Sequence, residues 1–314
     1  MSFDIDLYFD SLPENIEEIN LSYKGLTFIP DVISKFTKVR TFRCDNNELT
    51  SLPTLPTNLK RLYCGINNLT SLPDLPENLE LLYCDDNQLS YLPTFPKKLK
   101  NILSSYNKLI TLPELNNNLK TLVCNFNQLT SLPDLPKKLE ELYCDNNELT
   151  FLPLLNENLR VLYCCNNQLT SLPHMNKNLE ILYCNNNQLN SLYPLNKKLR
   201  TLICNNNQLT TLPKLNENLN YLQCANNQLT SLPNLTPHLI LFHFKNNPIY
   251  KIINSHDKHI IRQKVKILNQ FRYLYYSLKF KKLFLDWLWI KIKKPKIEQN
   301  YHPNYLDIVL DGLD

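Results

Sequence analysis

The chain has 314 residues, enough for one or two domains with a sizeable core, and a formal net charge of +5. Glycine occurs only three times (Gly25, Gly65 and Gly312) against 20 prolines and 44 asparagines, which excludes Gly-rich phosphate loops of the GxGxxG and GxxxxGKS/T kinds, GxSxG nucleophile elbows, collagen and Gly/Ser linkers. The charge is unevenly placed: residues 1–249 carry 21 basic and 23 acidic side chains, and residues 250–314 carry 13 and 6.

Residues 1–38 read as an N-terminal cap with a first, divergent repeat. The opening stretch MSFDIDLYFDSLPEN has four acidic residues and no basic segment, so it does not read as a signal peptide. Ile16, Ile19, Leu21, Leu26 and Ile29-Pro30 hold the slots of the repeat that follows. From Ile19 to Phe42 is 23 residues, so this unit is longer than the rest, and Lys24 stands where the later units have Asn.

Residues 39–249 form an array of about eleven units of twenty residues without an insertion. Asn recurs at 47, 67, 87 and onward to 247, eleven times out of eleven. Leu columns run from Leu49 to Leu229, from Leu52 to Leu232 and from Leu59 to Leu239, and a fourth from Leu62 to Leu222 with Ile102 as its inner variant. Proline follows the second column from Pro53 to Pro233, displaced once, to Pro194. The unit is LxxLxCxxNxLTSLPxLPxN. Its segment Arg61-Leu62-Tyr63-Cys64-Gly65 predicts a short strand with Leu62 and Cys64 inward and Arg61, Tyr63 and Gly65 outward. Stacked units give one parallel sheet on a concave face. The return leg is too short and too proline-rich for a helix, so the array predicts a slim, β-rich solenoid.

Nine cysteines, from Cys44 to Cys224, share one column in which Ser104 and Phe244 substitute; the tenth, Cys165, falls on the outward face. No CxxC pair occurs, and a spacing of twenty is the repeat period, not a ligand spacing. The column reads as small buried hydrophobes. Many unpaired thiols side by side predict a reducing, intracellular setting, the cytoplasm. The sequence implies no metal and no cofactor. Asp45, Asp85 and Asp145 share a column but are too far apart for acid/base pairing, so no catalytic residue and no enzyme is predicted.

The outward face is the candidate partner-binding surface. Its central column contains Arg43, Tyr63, Tyr83, Tyr143, Tyr163 and Tyr183, and the column two residues earlier adds Arg61 and Tyr221. Tyrosine supplies rigid area with a polar tip and is enriched at interfaces. The same rings could serve only to stabilise neighbouring strands.

Residues 250–314 read as a basic, helical C-terminal cap. Ile261, Val265, Leu268, Phe271, Tyr275 and Leu278 step by three or four, which predicts an amphipathic helix. Lys279, Lys281 and Lys282 then suggest a kink or a second helix, Pro295 and Pro303 its end, and Tyr305 to Leu313 a short acidic helix. His256 and His259 read as surface histidines. Trp287, Trp289, Lys291, Lys293 and Lys294 also fit contact with anionic lipid, a reading subordinate to capping. Basic charge alone implies no specific nucleic acid.

The unit LxxLxCxxNxL resembles the leucine-rich repeat, LxxLxLxxNxL, with Cys for one Leu. Its LPxLP return leg is similar to the twenty-residue repeats of bacterial effector proteins that enter host cells. Some of those carry a C-terminal ubiquitin ligase with a catalytic cysteine, but every cysteine here lies at or before Cys224. The Asn/Lys/Ile/Tyr-rich composition, the Cys-Asn-Asn motif and the tail IEQNYHPNYLDIVL look like leucine-rich repeat proteins of giant amoeba-infecting viruses, which would place the chain in a host cytoplasm. The resemblance implies a repeat protein and no mechanism; the outward columns, with no catalytic set among them, predict a non-enzymatic scaffold that binds a protein through its concave face. Two alternatives stay open: an adaptor to degradation machinery, and a peripheral membrane protein.

Overall fold

The computed structural model describes residues 3–255 and 257–296. Two compact units divide at Asn254/Ser255. The first opens with α1 (Ile5–Asp10), whose N-terminus is capped by the Asp4 carboxylate accepting from the Leu7 amide at 3.0 Å. Ile5 and Phe9 of α1 are buried, Phe9 against Phe36 with ring centroids 5.8 Å apart.

Twelve strands of three residues each follow, from β1 (Glu18–Asn20), β2 (Thr41–Arg43) and β3 (Arg61–Tyr63) to β12 (Leu241–His243). They lie in one parallel sheet in strict chain order. Register is constant: Leu62 faces Leu82, Tyr63 faces Tyr83, and Tyr163 faces Tyr183. Strands are shorter than the five-residue segment in the sequence, but the backbone ladder continues past them. The Cys44 amide donates to the Tyr63 carbonyl at 2.8 Å, and the same bond recurs to Cys224 and His243. The longer first unit uses its extra residues for a 3-10 helix, Asp31–Lys35; the twenty-residue units return in extended and turn backbone.

The core is the stack of Leu columns plus the cysteines. Each Asn of the 47-to-247 column ties its unit to the one before. Asn167 is typical: its Oδ1 accepts from the Leu149 amide at 3.0 Å, while its Nδ2 donates to the Cys144 carbonyl at 3.0 Å and to the Cys164 carbonyl at 3.3 Å. These carbonyls and amides are buried, so a side-chain amide with both donor and acceptor ends is the residue that satisfies them.

A short helix, α2 (Tyr250–Ile253), closes the first unit, and the second unit is described as far as 296. Its helix α3 (Lys258–Leu288) is capped by the Asp257 carboxylate, which accepts from the His259 amide at 2.7 Å. It runs unbroken through Lys279–Lys282, so the expected kink or second helix is not there. No proline or glycine lies between 258 and 288, and nothing else interrupts the ladder over that stretch. Backbone remains helical to 296, past Pro295, because the chain widens to a π-helix over Trp289–Lys293 and relieves the crowding the ring would impose on the preceding turn. His256 and the acidic helix expected over 305–313 lie outside the described residues.

Candidate functional site: the sheet face

The outward face of the sheet carries two tyrosine clusters. In the first, the Arg43 guanidinium lies 4.0 Å from the centroid of the Tyr63 ring, held from behind by Glu18 at 3.3 Å. Tyr63 and Tyr83 follow at 6.2 Å. In the second, Tyr143 meets Tyr163 edge-on at 4.9 Å, and Tyr163 stacks on Tyr183 at 4.2 Å and 12°. Leu103 and Val123 separate the clusters, so Tyr83 and Tyr143 are three strand spacings, about 14 Å, apart. Arg61 is exposed in the neighbouring column, between Thr41 and Leu81. Tyr221 is not brought to either cluster: it lies two strands beyond Tyr183 and one column over, beside Thr201 and Leu241.

Burial of the ring edges raises the phenol pKa of Tyr83, Tyr143 and Tyr163 further above its usual value, with the Asp85 carboxylate, the Glu141 carboxylate and the neighbouring Tyr183 as the respective next causes. These hydroxyls are therefore neutral donors throughout the physiological range. Tyr143 Oη donates to Glu141 at 3.5 Å.

The strict inward/outward alternation fails at the strand ends. Gly65 and Cys165, expected outward, are buried. The ring of Tyr83 lies over Gly65, where a Cβ would collide with it. Cys165 donates its thiol to Asn185 Oδ1 at 2.8 Å and is held protonated, its pKa pushed up to about 12 by burial and then by Asp145. In the same column the Asp85 carboxyl is raised to about 6, chiefly by burial, although it accepts from the Ser105 amide at 2.6 Å. Among the described residues no group of three or more His, Cys, Asp or Glu side chains is placed to hold a metal ion. Two clefts, of about 650 and 710 Å³, lie between successive return legs, not on the sheet face; one is lined by Phe95, Pro113 and Leu115, the other by Leu195, Pro213 and Leu215.

One set of residues escaped the sequence reading. The turn after each strand places one residue at positive φ, from Tyr23 to Asn246. Asn and Asp tolerate this conformation; a β-branched or bulky side chain does not. Yet the column holds Ile66 at φ 54°, Tyr106 at φ 54° and Phe126 at φ 52°, all exposed, with Tyr106 and Phe126 stacked at 4.2 Å. The signal in the sequence was a break in an otherwise Asn/Asp column, confined to the first half of the array. Along the chain these residues follow Tyr63, Leu103 and Val123, each by three positions.

Comparison with known proteins agrees with this geometry. The family model for leucine rich repeats, in two copies, matches residues 157–197. YopM from Yersinia enterocolitica is 33% identical, with a TM-score of 0.72 over 74% of this chain; the chain spans only 52% of that protein. YopM from Yersinia pestis, described as a leucine-rich effector protein, is 30% identical, with a TM-score of 0.50, covering 74% of this chain and 84% of that one. The functional domain of InlJ from Listeria monocytogenes, described as including a cysteine ladder, is 25% identical with a TM-score of 0.55, over 74% of this chain and 63% of that one. No curated protein sequence matches. With the repeat, the parallel sheet and these relatives in agreement, the chain belongs to the leucine-rich repeat family.

Proposed function

We propose that this chain is a non-enzymatic, intracellular scaffold that holds a protein partner against its sheet face. Leucine-rich repeat solenoids are typical protein-interaction folds. The observation that carries the reading is the pair of registered tyrosine clusters on the sheet face, together with exposed Ile66, Tyr106 and Phe126 in the turns that follow their strands, held in a backbone conformation that disfavours them. These three lie outside the strands, so pairing within the sheet does not call for them. The contact set is Arg43, Arg61, Tyr63, Tyr83, Tyr143, Tyr163, Tyr183 and Tyr221, extended by those three. The intracellular placement rests on ten unpaired cysteines, nine of them stacked in one column.

Affinity capture with the wild type and with a chain carrying Tyr63→Ser, Tyr83→Ser, Tyr143→Ser, Tyr163→Ser and Tyr183→Ser tests this. Loss of the captured partner, with the circular dichroism of the array retained, is the expected result. A folded variant that retains every partner sinks the reading and leaves the rings a purely structural role.

A further inference from the structure

The helix α3 presents a surface that the scaffold reading does not use. At about 100° per residue, Ile261, Val265 and Leu268 share one side of its first three turns, and Ile261 and Val265 are buried. From residue 271 onward that side instead carries Arg272, Lys279, Lys282 and Asp286, within an arc of about 80°. Tyr275 falls among them; between 271 and 288 the rest of the circumference is apolar apart from Ser277 and Lys281, and Leu274, Tyr276, Phe280, Phe284, Leu285 and Trp287 on it are all exposed. The apolar side thus changes hand along the helix. Each part is amphipathic, and the two cancel over the whole length.

Charge identifies what this broad apolar arc fits. Residues 258–296 hold twelve basic side chains and one acidic, Asp286. A position across a bilayer would put Arg272, Lys279, Lys281, Lys282 and Asp286 in hydrocarbon, and no helix among the described residues is long and apolar enough to cross. A nucleic acid would engage the cations but leave the apolar arc in water. A negatively charged lipid surface takes both at once. Its acyl boundary accepts the apolar arc, its headgroups neutralise the lysines, and the aromatic rings sit at the depth where one end is apolar and the other wet. Lys281, which falls inside the apolar arc, reaches the headgroups by its long stem.

We propose that α3 docks on anionic membrane surfaces, lying in the plane of the interface with Trp287 and Trp289 in the headgroup region. This is independent of any partner on the sheet face. The chain contains only these two tryptophans, so intrinsic fluorescence reports on this segment alone.

The test uses the full chain with phosphatidylcholine vesicles, with and without phosphatidylserine. Expected are flotation and a blue shift of the tryptophan emission with the anionic vesicles only. A Lys279→Gln, Lys281→Gln, Lys282→Gln chain should partition about a hundredfold more weakly, and a Phe280→Ser, Phe284→Ser, Trp287→Ser chain should fail to float even at low salt. All six side chains are exposed, and a thermal melt of the array matching wild type confirms that folding is untouched. Absence of flotation, or equal flotation with neutral vesicles, overturns the proposal. So does a blue shift that follows protein concentration without lipid, which would mark pairing of two copies. Binding of nucleic acid that survives the Phe280/Phe284/Trp287 change, with no vesicle binding, overturns it in favour of simple polycation chemistry.

Discussion

A single asparagine shows how much one side chain does here. Its amide is both donor and acceptor in a buried bend, and at the neighbouring position, one residue earlier, Asn is chosen again because it tolerates positive φ. Ile66, Tyr106 and Phe126 break the second rule, and left-handed backbone costs such residues about 1 kcal/mol or more. Ile66→Asn is expected to raise the stability of the array by about that amount in urea titrations, while Tyr106→Asn and Phe126→Asn also lose the stack between the two rings and gain less. The same variants should weaken partner binding if these side chains make the contact. Asp85 offers a second test, by pH. Its folded pKa of about 6 lies above the ordinary carboxyl value of 3.8, so the folded state holds the proton more tightly than the unfolded one. Stability from this group is therefore fully present below pH 4 and is lost as pH rises through 6. Asp85→Asn keeps the acceptor for the Ser105 amide, as Asn125 does for Asp145 at 2.8 Å. It should stabilise the protein at neutral pH and flatten the decline between about pH 4 and 6 in thermal melts.

At the scale of the element, each turn of the solenoid is too small to bury its own leucines and depends on its neighbours. Asn167→Ala would leave the buried Leu149 amide without its acceptor and take one of two asparagine donors from each of the Cys144 and Cys164 carbonyls, at a cost of about 2 kcal/mol. Hydrogen exchange of Leu149 should accelerate roughly thirtyfold, with the outermost strands little changed. The repeat, the direction of the Leu columns and the burial of the cysteines were legible in the sequence because each follows from local periodicity. The burial of Gly65 and Cys165 was not, because alternation describes one strand and ignores what the next unit brings: the Tyr83 ring over Gly65 and the Asn185 amide against Cys165. The change of hand in α3 is present in the residue order, but a stripe stepping by three or four from Ile261 to Leu278 masks it.

For the whole molecule, the ten thiols behave as one set. All are buried, and burial pushes each above its usual pKa, Cys124 and Cys204 to about 12. Several also donate weakly to the next strand, as Cys144 does to the Tyr163 carbonyl at 3.3 Å. Thiol titration of the native chain at neutral pH is expected to be slow at every cysteine and to rise to all ten on unfolding; a fast-reacting thiol in the native state would contradict the burial of that position. The tyrosine clusters were legible as residues, while their separation into two groups depended on Leu103 and Val123, whose effect appears only once the register is known.

The asparagine bonds all point the same way along the chain. Leu149 receives its partner from a residue 18 positions later, and the Cys144 carbonyl from one 23 positions later. A chain synthesised from its N-terminus is thus always one asparagine short: the newest turn keeps an unmet Leu amide, and a Cys carbonyl with only its own turn's Asn as donor, until the next Asn has left the ribosome. Completion passes forward turn by turn until Asn247 accepts from the Leu229 amide and donates to the Cys224 carbonyl, each at 2.9 Å. The growing end is the unstable end at every moment of synthesis, so nascent chains halted just before an asparagine of this column would be more open to proteases than chains halted just after it.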